Sequence, residues 1–425
     1  MGTSYWPIPA PVAQWIRAAG FYPVGRGFES YLGRMSSLDL TETRARFPAL
    51  GAHPEVVHTC APGGTQILGS VLDAMRQAAI DANANQHAAF PASGRVDALC
   101  DRARPRMGQL LGSEPQSIVF GPNMTTLAFH LSHVLDEVLA TGGEIVCTRL
   151  DHDANVAPWL GLAERTGATV RWIDITDQGR LDLEAIAQAI TPRTRLVTFP
   201  LASNALGTVV DPAPIVQAAK AVGAITVMDA VHGAPHVPVD RRGSGVDVVF
   251  CSPYNFFGPH AGVMAADPGL LAKLGPDKVR PSPDEGPERW QTGTASFETI
   301  AGCAAAADYL LDEMSLATIG RHEDTLAQAF LNGLAQRPGW TLHGPGDTLG
   351  RTPTCAITHE RATSQDVAEI FAKHDVNVYA GHYYAIEPMR RLGLLERGGA
   401  VRIGFVHYHG IDDVRRVLDA MDTVG

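Results

Sequence analysis

Lysine is nearly missing from this sequence: only four of its 34 basic residues are lysines, Lys220, Lys273, Lys278 and Lys373. An excess of positive charge is missing too, because 45 acidic residues bring the formal net charge to −11. No overall field therefore draws the chain to nucleic acid or to an anionic membrane, and a small metabolite is the expected partner. Cysteine is sparse and scattered, at Cys60, Cys100, Cys147, Cys251, Cys303 and Cys355, with no Cys-x-x-Cys pair. That excludes a zinc knuckle and a compact disulfide framework, and fits small buried hydrophobes in a reducing cytoplasm. No apolar run approaches the roughly 20 residues that span a bilayer. The Gly-x-Ser-x-Gly elbow of many hydrolases is absent. His407-Tyr-His409 and Asp151-His-Asp153 contain metal-ligating residue types, but nothing in the spacing brings them together, so no metal is expected.

What is present is a globular composition. The 425 residues are 45% hydrophobic and 19% charged, with 43 Gly and 29 Pro. That excludes disorder and coiled coil, and the length suits one large and one smaller domain. Short apolar runs alternate with helical stretches, the signature of an α/β fold with a doubly wound, mostly parallel sheet. Strands are predicted at 117–120, 144–148, 169–173, 194–199, 225–229 and 246–251, and helices at 68–84, 95–111 and from about 124 through 139. A proline-rich loop over 275–287 leads to a helix-forming run from Thr299 to Leu334. Beyond it, strands at 354–358, 376–379 and 400–405 and a last helix over 412–421 predict a second, smaller α/β unit.

In such sheets ligands sit at the carboxyl ends of strands, so the turns carry the chemistry. Three turns are unusually polar: Gly121-Pro-Asn-Met-Thr-Thr126, Asp229-Ala-Val-His-Gly-Ala-Pro-His236 and Ser252-Pro-Tyr-Asn-Phe-Phe-Gly-Pro-His260. Each alone is compatible with an ordinary cap or turn. Their order and spacing, from Met35 to the C-terminus, resemble the class V aminotransferase-like group of pyridoxal-phosphate (PLP) proteins, nearest the cysteine-desulfurase-like branch. The resemblance implies an aspartate-aminotransferase-like fold, with a large cofactor domain over 54–298, a small domain over 299–425, and residues 35–53 packing on the small domain. It also implies roles. Thr125, Thr126 and Ser252 would contact the cofactor phosphate, and Thr294 would reach the phosphate of a neighbouring subunit in a homodimer. His152 would stack on the pyridine ring, Asp229 would keep its nitrogen protonated, and Asn204 and His232 would lie near its hydroxyl. Arg402 would grip the carboxylate of an amino-acid-like substrate, which suits its planar two-pronged donor.

Two positions depart from the family pattern. Asn255 occupies the place of the lysine that forms the Schiff base, and an amide nitrogen is not a nucleophilic amine. None of the four lysines stands in a matching turn; Lys273 belongs to an apparent surface helix. The desulfurase loop cysteine is also missing, since 356–402 contains none and the loop reads Ala380-Gly-His-Tyr-Tyr-Ala-Ile-Glu387. Three readings follow. The chain is an enzyme holding PLP or its amine form without a covalent link, with His232 or Tyr254 moving protons in β-elimination (C–S lyase) or aminotransferase-type chemistry. Alternatively it is a non-catalytic binding protein, or a Lys-to-Asn variant of an ordinary PLP enzyme. The loops at 382–387 and 279–289 are expected to shape the substrate space.

The first 34 residues read differently from the rest. Val12-Ala-Gln-Trp-Ile-Arg through Gly25-Arg-Gly-Phe-Glu-Ser-Tyr-Leu-Gly-Arg34 resembles a mistranslated transfer-RNA gene, and a helix-start pattern follows Met35. The natural protein is therefore expected to begin at Met35. Mass-spectrometric N-terminal sequencing checks this, and a mature terminus upstream of Met35 would refute it.

Overall fold

The computed structural model describes residues 38–140 and 142–425. The 1–34 segment and the Met35 start lie outside them. A seven-stranded sheet is built from β1 (Ile118–Gly121), β2 (Glu144–Thr148), β3 (Thr169–Ile173), β4 (Thr194–Pro200), β5 (Ile225–Asp229), β6 (Val248–Cys251) and β7 (Gly262–Ala266), in the order β1-β7-β6-β5-β4-β2-β3. β7 runs antiparallel to both neighbours, while β6-β5-β4-β2-β3 are parallel.

β2, β4, β5 and β6 read as near-continuous apolar runs because both faces of a parallel sheet are covered. Successive side chains alternate between two cores. Val197, Met228 and Val249 point into one hydrophobic cluster, and Leu196, Val227 and Val248 into the other. The helices Gly69–Asp81, Pro91–Leu110 and Phe297–Asp308 pack together over the first of these faces.

The C-terminal sheet has four antiparallel strands: β8 (Trp340–His343), β9 (Thr354–His359), β10 (Tyr379–Gly381) and β11 (Ala400–Gly404), in the order β10-β11-β9-β8. Its core joins Ile357, Val401 and Ile403 to Leu326 and Phe330 of the helix Leu316–Ala335 and to Val417 of the helix Ile411–Met421. Upstream residues hold on to this unit: Arg44 pairs with Asp413 at 3.2 Å, and the Gly404 N–H donates to the Thr59 carbonyl.

Several elements differ from expectation. β7 and β8 are additional strands, short and lacking a turn signature of their own. The expected strand at 376–379 is displaced to Tyr379–Gly381, Val376 making only an isolated bridge to Val57. The helical run from Thr299 is interrupted: a π-turn at Tyr309–Glu313 ends it, Met314 is extended, and a new helix starts after Ser315. Serine favours such a cap position over a helix interior. The expected single helix through Leu139 is likewise two, Met124–Val134 and Asp136–Leu139.

Helix Leu316–Ala335 carries one costly residue. Glu323 is buried and lies 2.7 Å from Nδ1 of His236, itself buried in the turn that follows β5. The pair ties the C-terminal helices to the turn that begins with Asp229. Leaving one partner of a buried hydrogen-bonded pair unsatisfied typically costs about 1–3 kcal/mol, whereas replacing both with apolar groups of similar shape is close to neutral. Glu323→Ala is therefore expected to lower the thermal midpoint clearly, and Glu323→Leu/His236→Phe to recover most of it, as read by calorimetry.

Candidate functional site

The carboxyl ends of β2, β4, β5 and β6 open into a cavity of about 860 Å³, closed on its far side by β10, β11 and the chain between them. β5 delivers Asp229 to its floor, where the residue is buried and opposite Pro200 of β4 and Phe250 of β6. The carboxylate accepts one hydrogen bond, from the Val231 N–H at 2.7 Å, and burial pushes its pKa up to about 6. A cationic partner in the cavity would reverse that shift.

The turn after β1 lies at one end. Asn123 caps the helix Met124–Val134, its side chain accepting from the Thr126 N–H at 2.8 Å. The first-turn N–H groups lack carbonyl partners inside the helix and mark a position for an anion. The turn rests directly on β7: a Cβ at Gly262 would come within 2.2 Å of the Asn123 backbone. Thr125 and Ser252 line the cavity. Thr126 does not; it is exposed, and its amide is occupied by the cap. Thr294 is also exposed and lines no part of this chain's cavity.

His152 forms a wall. Its Nδ1 accepts the Ala154 N–H at 3.0 Å, leaving the proton on Nε2. Burial, helped by the charge of Arg402, lowers its pKa to about 4, so the imidazole is neutral across the physiological range. His232 is buried between the Thr352 and Thr354 hydroxyls, 3.0 and 3.2 Å from its Nε2, and burial drives its pKa well below the usual histidine range. Tyr254 lines the cavity and stacks on His260 with ring centroids 4.9 Å apart; burial raises its pKa. Asn255 sits in the 3₁₀ turn Pro253–Phe256 after β6, with its side chain lining the cavity and its Oδ1 buried without a partner.

Arg402, on β11, crosses from the small sheet. It is buried, donates from Nη1 to the Asn204 carbonyl at 3.1 Å, and keeps an unpartnered Nε. Burial lowers its pKa to about 10, which leaves it charged at neutral pH. The guanidinium lies over the rings of Tyr383 and Tyr379, 4.7 and 5.7 Å from their centroids. Gly63 makes this approach possible, since a Cβ there would come within 2.6 Å of the Tyr379 ring and 2.9 Å of Nη2.

The structure thus gathers Thr125, His152, Asn204, Asp229, His232, Ser252, Tyr254, Asn255 and Arg402 around one cavity, and leaves Thr126 and Thr294 outside it. Of the two loops expected to shape the substrate space, 382–384 contributes and 279–289 does not. The latter leans instead on the outside of the large sheet, where Arg289 donates to the Leu274 carbonyl and Glu288 pairs with Arg104. His407 and His409 are buried behind the cavity, His407 bonded to the Tyr309 hydroxyl at 2.6 Å. Sequence reasoning missed Gly63, Asn123, Tyr379 and Phe129; Asn123 alone carried a signal, as a cap residue before a helix. No lysine lines the cavity: Lys220, Lys273 and Lys373 are exposed, and Lys278 donates to the Ser282 carbonyl at 3.0 Å.

A helix start, the buried Asp229 carboxylate, the His152 imidazole and Arg402 crossing from the small sheet thus face one cavity of a doubly wound protein. The chain belongs to the class-V aminotransferase family, whose model matches residues 59–417. It is 31% identical over 419 residues to a probable cysteine desulfurase 2 of Mycobacterium leprae, covering 92% of this chain and 99% of that one. The apo structure of a cysteine desulfurase from Thermococcus onnurineus NA1 superposes with a TM-score of 0.85 at 26% identity, covering 91% of this chain and 98% of the other. The Escherichia coli cysteine desulfurase CsdA gives 0.81 at 25% identity, with coverage of 91% and 98%. The fold is PLP-dependent fold type I, α/β with a mostly parallel central sheet.

The raised Asp229 carboxyl has a definite sign. With a folded pKa of about 6 against an ordinary 3.8, the folded state holds a proton that the unfolded state has released. Stability from this group is therefore full below about pH 4 and declines as pH rises through 6. A shift of that size corresponds to about 3 kcal/mol. Asp229→Asn lacks the titration, so denaturant titrations of the ligand-free protein should show the variant gaining on the parent by up to that amount between pH 4 and 7.

Proposed function

We propose that the protein binds PLP, or its amine form, without a covalent link and acts on an amino-acid-like substrate in β-elimination or aminotransferase-type chemistry. The observation that carries this reading is the coexistence of a complete polar cavity with Asn255 at its floor turn and no lysine along its walls. The residues fit the group. Asn204 Oδ1, Asn255 Oδ1, Arg402 Nε and the Tyr383 hydroxyl are buried and unpartnered, as expected where polar ligands complete a site.

The phosphate would sit at the start of helix Met124–Val134 with Thr125 and Ser252, and Asp229 would meet the ring nitrogen. His152 would cover the ring face, with Asn204 and His232 toward the ring hydroxyl. Bound there, PLP supplies an electron sink for a bond broken at the substrate's α-carbon. Arg402 would hold the substrate carboxylate through its free guanidinium edge. Neutral His152 offers Nε2–H as a donor into the cavity. Its lowered pKa keeps it from competing with Arg402 for the carboxylate. Proton transfer would fall to His232 or Tyr254, the groups assigned to it in the absence of lysine. Thr294, exposed and outside its own cavity, would serve the site of a second copy in a homodimer.

A second reading, a cofactor-holding protein without turnover, shares the same site. Absorption spectra with added PLP, followed by borohydride treatment and intact-mass measurement, separate the possibilities. The expected result is cofactor retained through gel filtration with no mass gain after reduction. Asn255→Lys is expected to gain one cofactor mass on reduction, and activity of the unmodified holoprotein on simple amino acids separates the enzyme from the inert binder. A borohydride-fixed adduct on the unmodified protein would overturn the proposal.

A further inference from the structure

The segment between β10 and the helix Ile386–Arg391 occupies the position where the resemblance called for a sulfur-carrying cysteine. It presents rings instead: His382, Tyr383 and Tyr384 line the cavity, together with Tyr379 of β10. Tyr383 is committed, its ring lying under the Arg402 guanidinium. Tyr379 flanks the same guanidinium at 5.7 Å and Tyr384 packs on the His152 ring with centroids 5.6 Å apart, yet the two remain 51% and 67% exposed, and Phe129 of the helix Met124–Val134, which also lines the cavity, is 40% exposed. Three large aromatic rings left in water around one cavity are unusual on a surface with no ligand role.

Their conformation is costly. Tyr383 and Tyr384 are consecutive non-glycine residues in the left-handed region, with φ of 47° and 57°. Such strain persists only where the surroundings impose it, and it concentrates at ligand-binding segments. Here the imposing contacts come from the large domain. The Asp153 N–H donates to the Tyr384 carbonyl at 2.7 Å, and Asn204 Nδ2 donates to the Tyr383 carbonyl at 3.1 Å. Farther along, Glu387 pairs with Arg149, and Arg391 with Asp174 at 3.0 Å. The backbone that carries the Tyr383 and Tyr384 rings is thus fixed by the large domain.

Charge narrows the choice. Among the described residues Arg402 is the one Arg or Lys side chain lining the cavity, so they offer a single guanidinium for a single carboxylate. Near the mouth the acid is Asp153, whose carboxyl burial pushes above its ordinary range. A second carboxylate on the substrate would find no cation of comparable strength.

We infer that the substrate is an α-amino acid with a neutral aromatic side chain, its carboxylate on Arg402 and its ring between Tyr379 and Tyr384 at the mouth. This deepens, and rests on, the proposed reading of the site as an amino-acid site. Offset or edge-on ring pairs add attraction beyond area burial, and the Tyr faces are available for it.

The test is calorimetric binding of L-phenylalanine, L-leucine, L-alanine and L-glutamate to the PLP-loaded full chain. L-Phenylalanine is expected to bind about tenfold more tightly than L-alanine and several-fold more tightly than L-leucine, with L-glutamate no better than L-alanine, a spread set by ring burial and pairing. In Tyr384→Ala and Tyr379→Ala the phenylalanine-to-alanine ratio should collapse several-fold, which a merely structural role for the ring would not cause, and Tyr384→Phe should restore it. Equal affinities for all four, or a ratio unmoved by both alanine variants, would overturn the aromatic assignment while leaving an amino-acid site standing. Failure of every amino acid to bind a protein that retains PLP would overturn both.

Discussion

One buried carboxylate organises this protein. Asp229 ends the middle strand of the seven-stranded sheet, has a single backbone N–H for company, and pays for its place with a pKa raised to about 6. Such a group destabilises the empty fold unless a cation is brought to it. Its neighbours are arranged so that the cation comes from a ligand and not from the chain. Arg402 is turned toward the Asn204 carbonyl and two tyrosine rings, and His152 and His232 are too desolvated to hold a proton at neutral pH. The cavity is in this sense an unfinished electrostatic structure, and the same shortage of positive charge that stands out in the composition is reproduced at its centre.

The two sheets matter to that centre in different ways. The parallel sheet fixes depth: β2, β4, β5 and β6 end together, so the turns they feed stand at one level. The small sheet supplies reach. Arg402 extends from β11 across the gap, and the glycine at 63 lets its guanidinium and the Tyr379 ring come close to the chain that runs alongside. The buried Glu323–His236 pair joins the two behind the site, so that the helix supporting the small sheet also steadies the turn leading away from Asp229. A change far from the cavity in helix Leu316–Ala335 can therefore reach the cavity floor through one contact.

Much of this was legible in the sequence because it is local. Strand-end turns rich in Asn, Ser, Asp and His announce themselves within ten residues, and β2, β3 and β5 carry enough apolar continuity to be placed to the residue. What was not legible depended on partners distant in sequence. β7 reads as a few small apolar residues, Gly262-Val-Met-Ala-Ala266, and becomes a strand only by pairing with β1 and β6. Tyr379 gains its meaning from Arg402 in register across the β10–β11 ladder and from Gly63 over 300 residues upstream. Thr126 carried the right chemistry but the wrong helical phase: one residue beyond Thr125, it faces outward and gives its amide to Asn123. The break at Met314 depends on tertiary packing of Tyr309 against His407 and Phe47, which local propensity does not encode.

Asn255 stands beside the same cavity as Asp229. A lysine there would add an ammonium to a cavity floor that already holds Asp229, and the two would share the cavity as counter-charges. Asparagine removes that option while keeping the turn: its N–H still donates to the Ser252 carbonyl at 3.0 Å, and Phe257 still closes the 3₁₀ turn at φ 70°. The backbone that would present a lysine is therefore intact, and the side chain in its place is neutral. Asp229 is then left to be satisfied by what binds. A ligand whose ring carries a proton would meet a carboxylate whose one hydrogen bond comes from a backbone N–H.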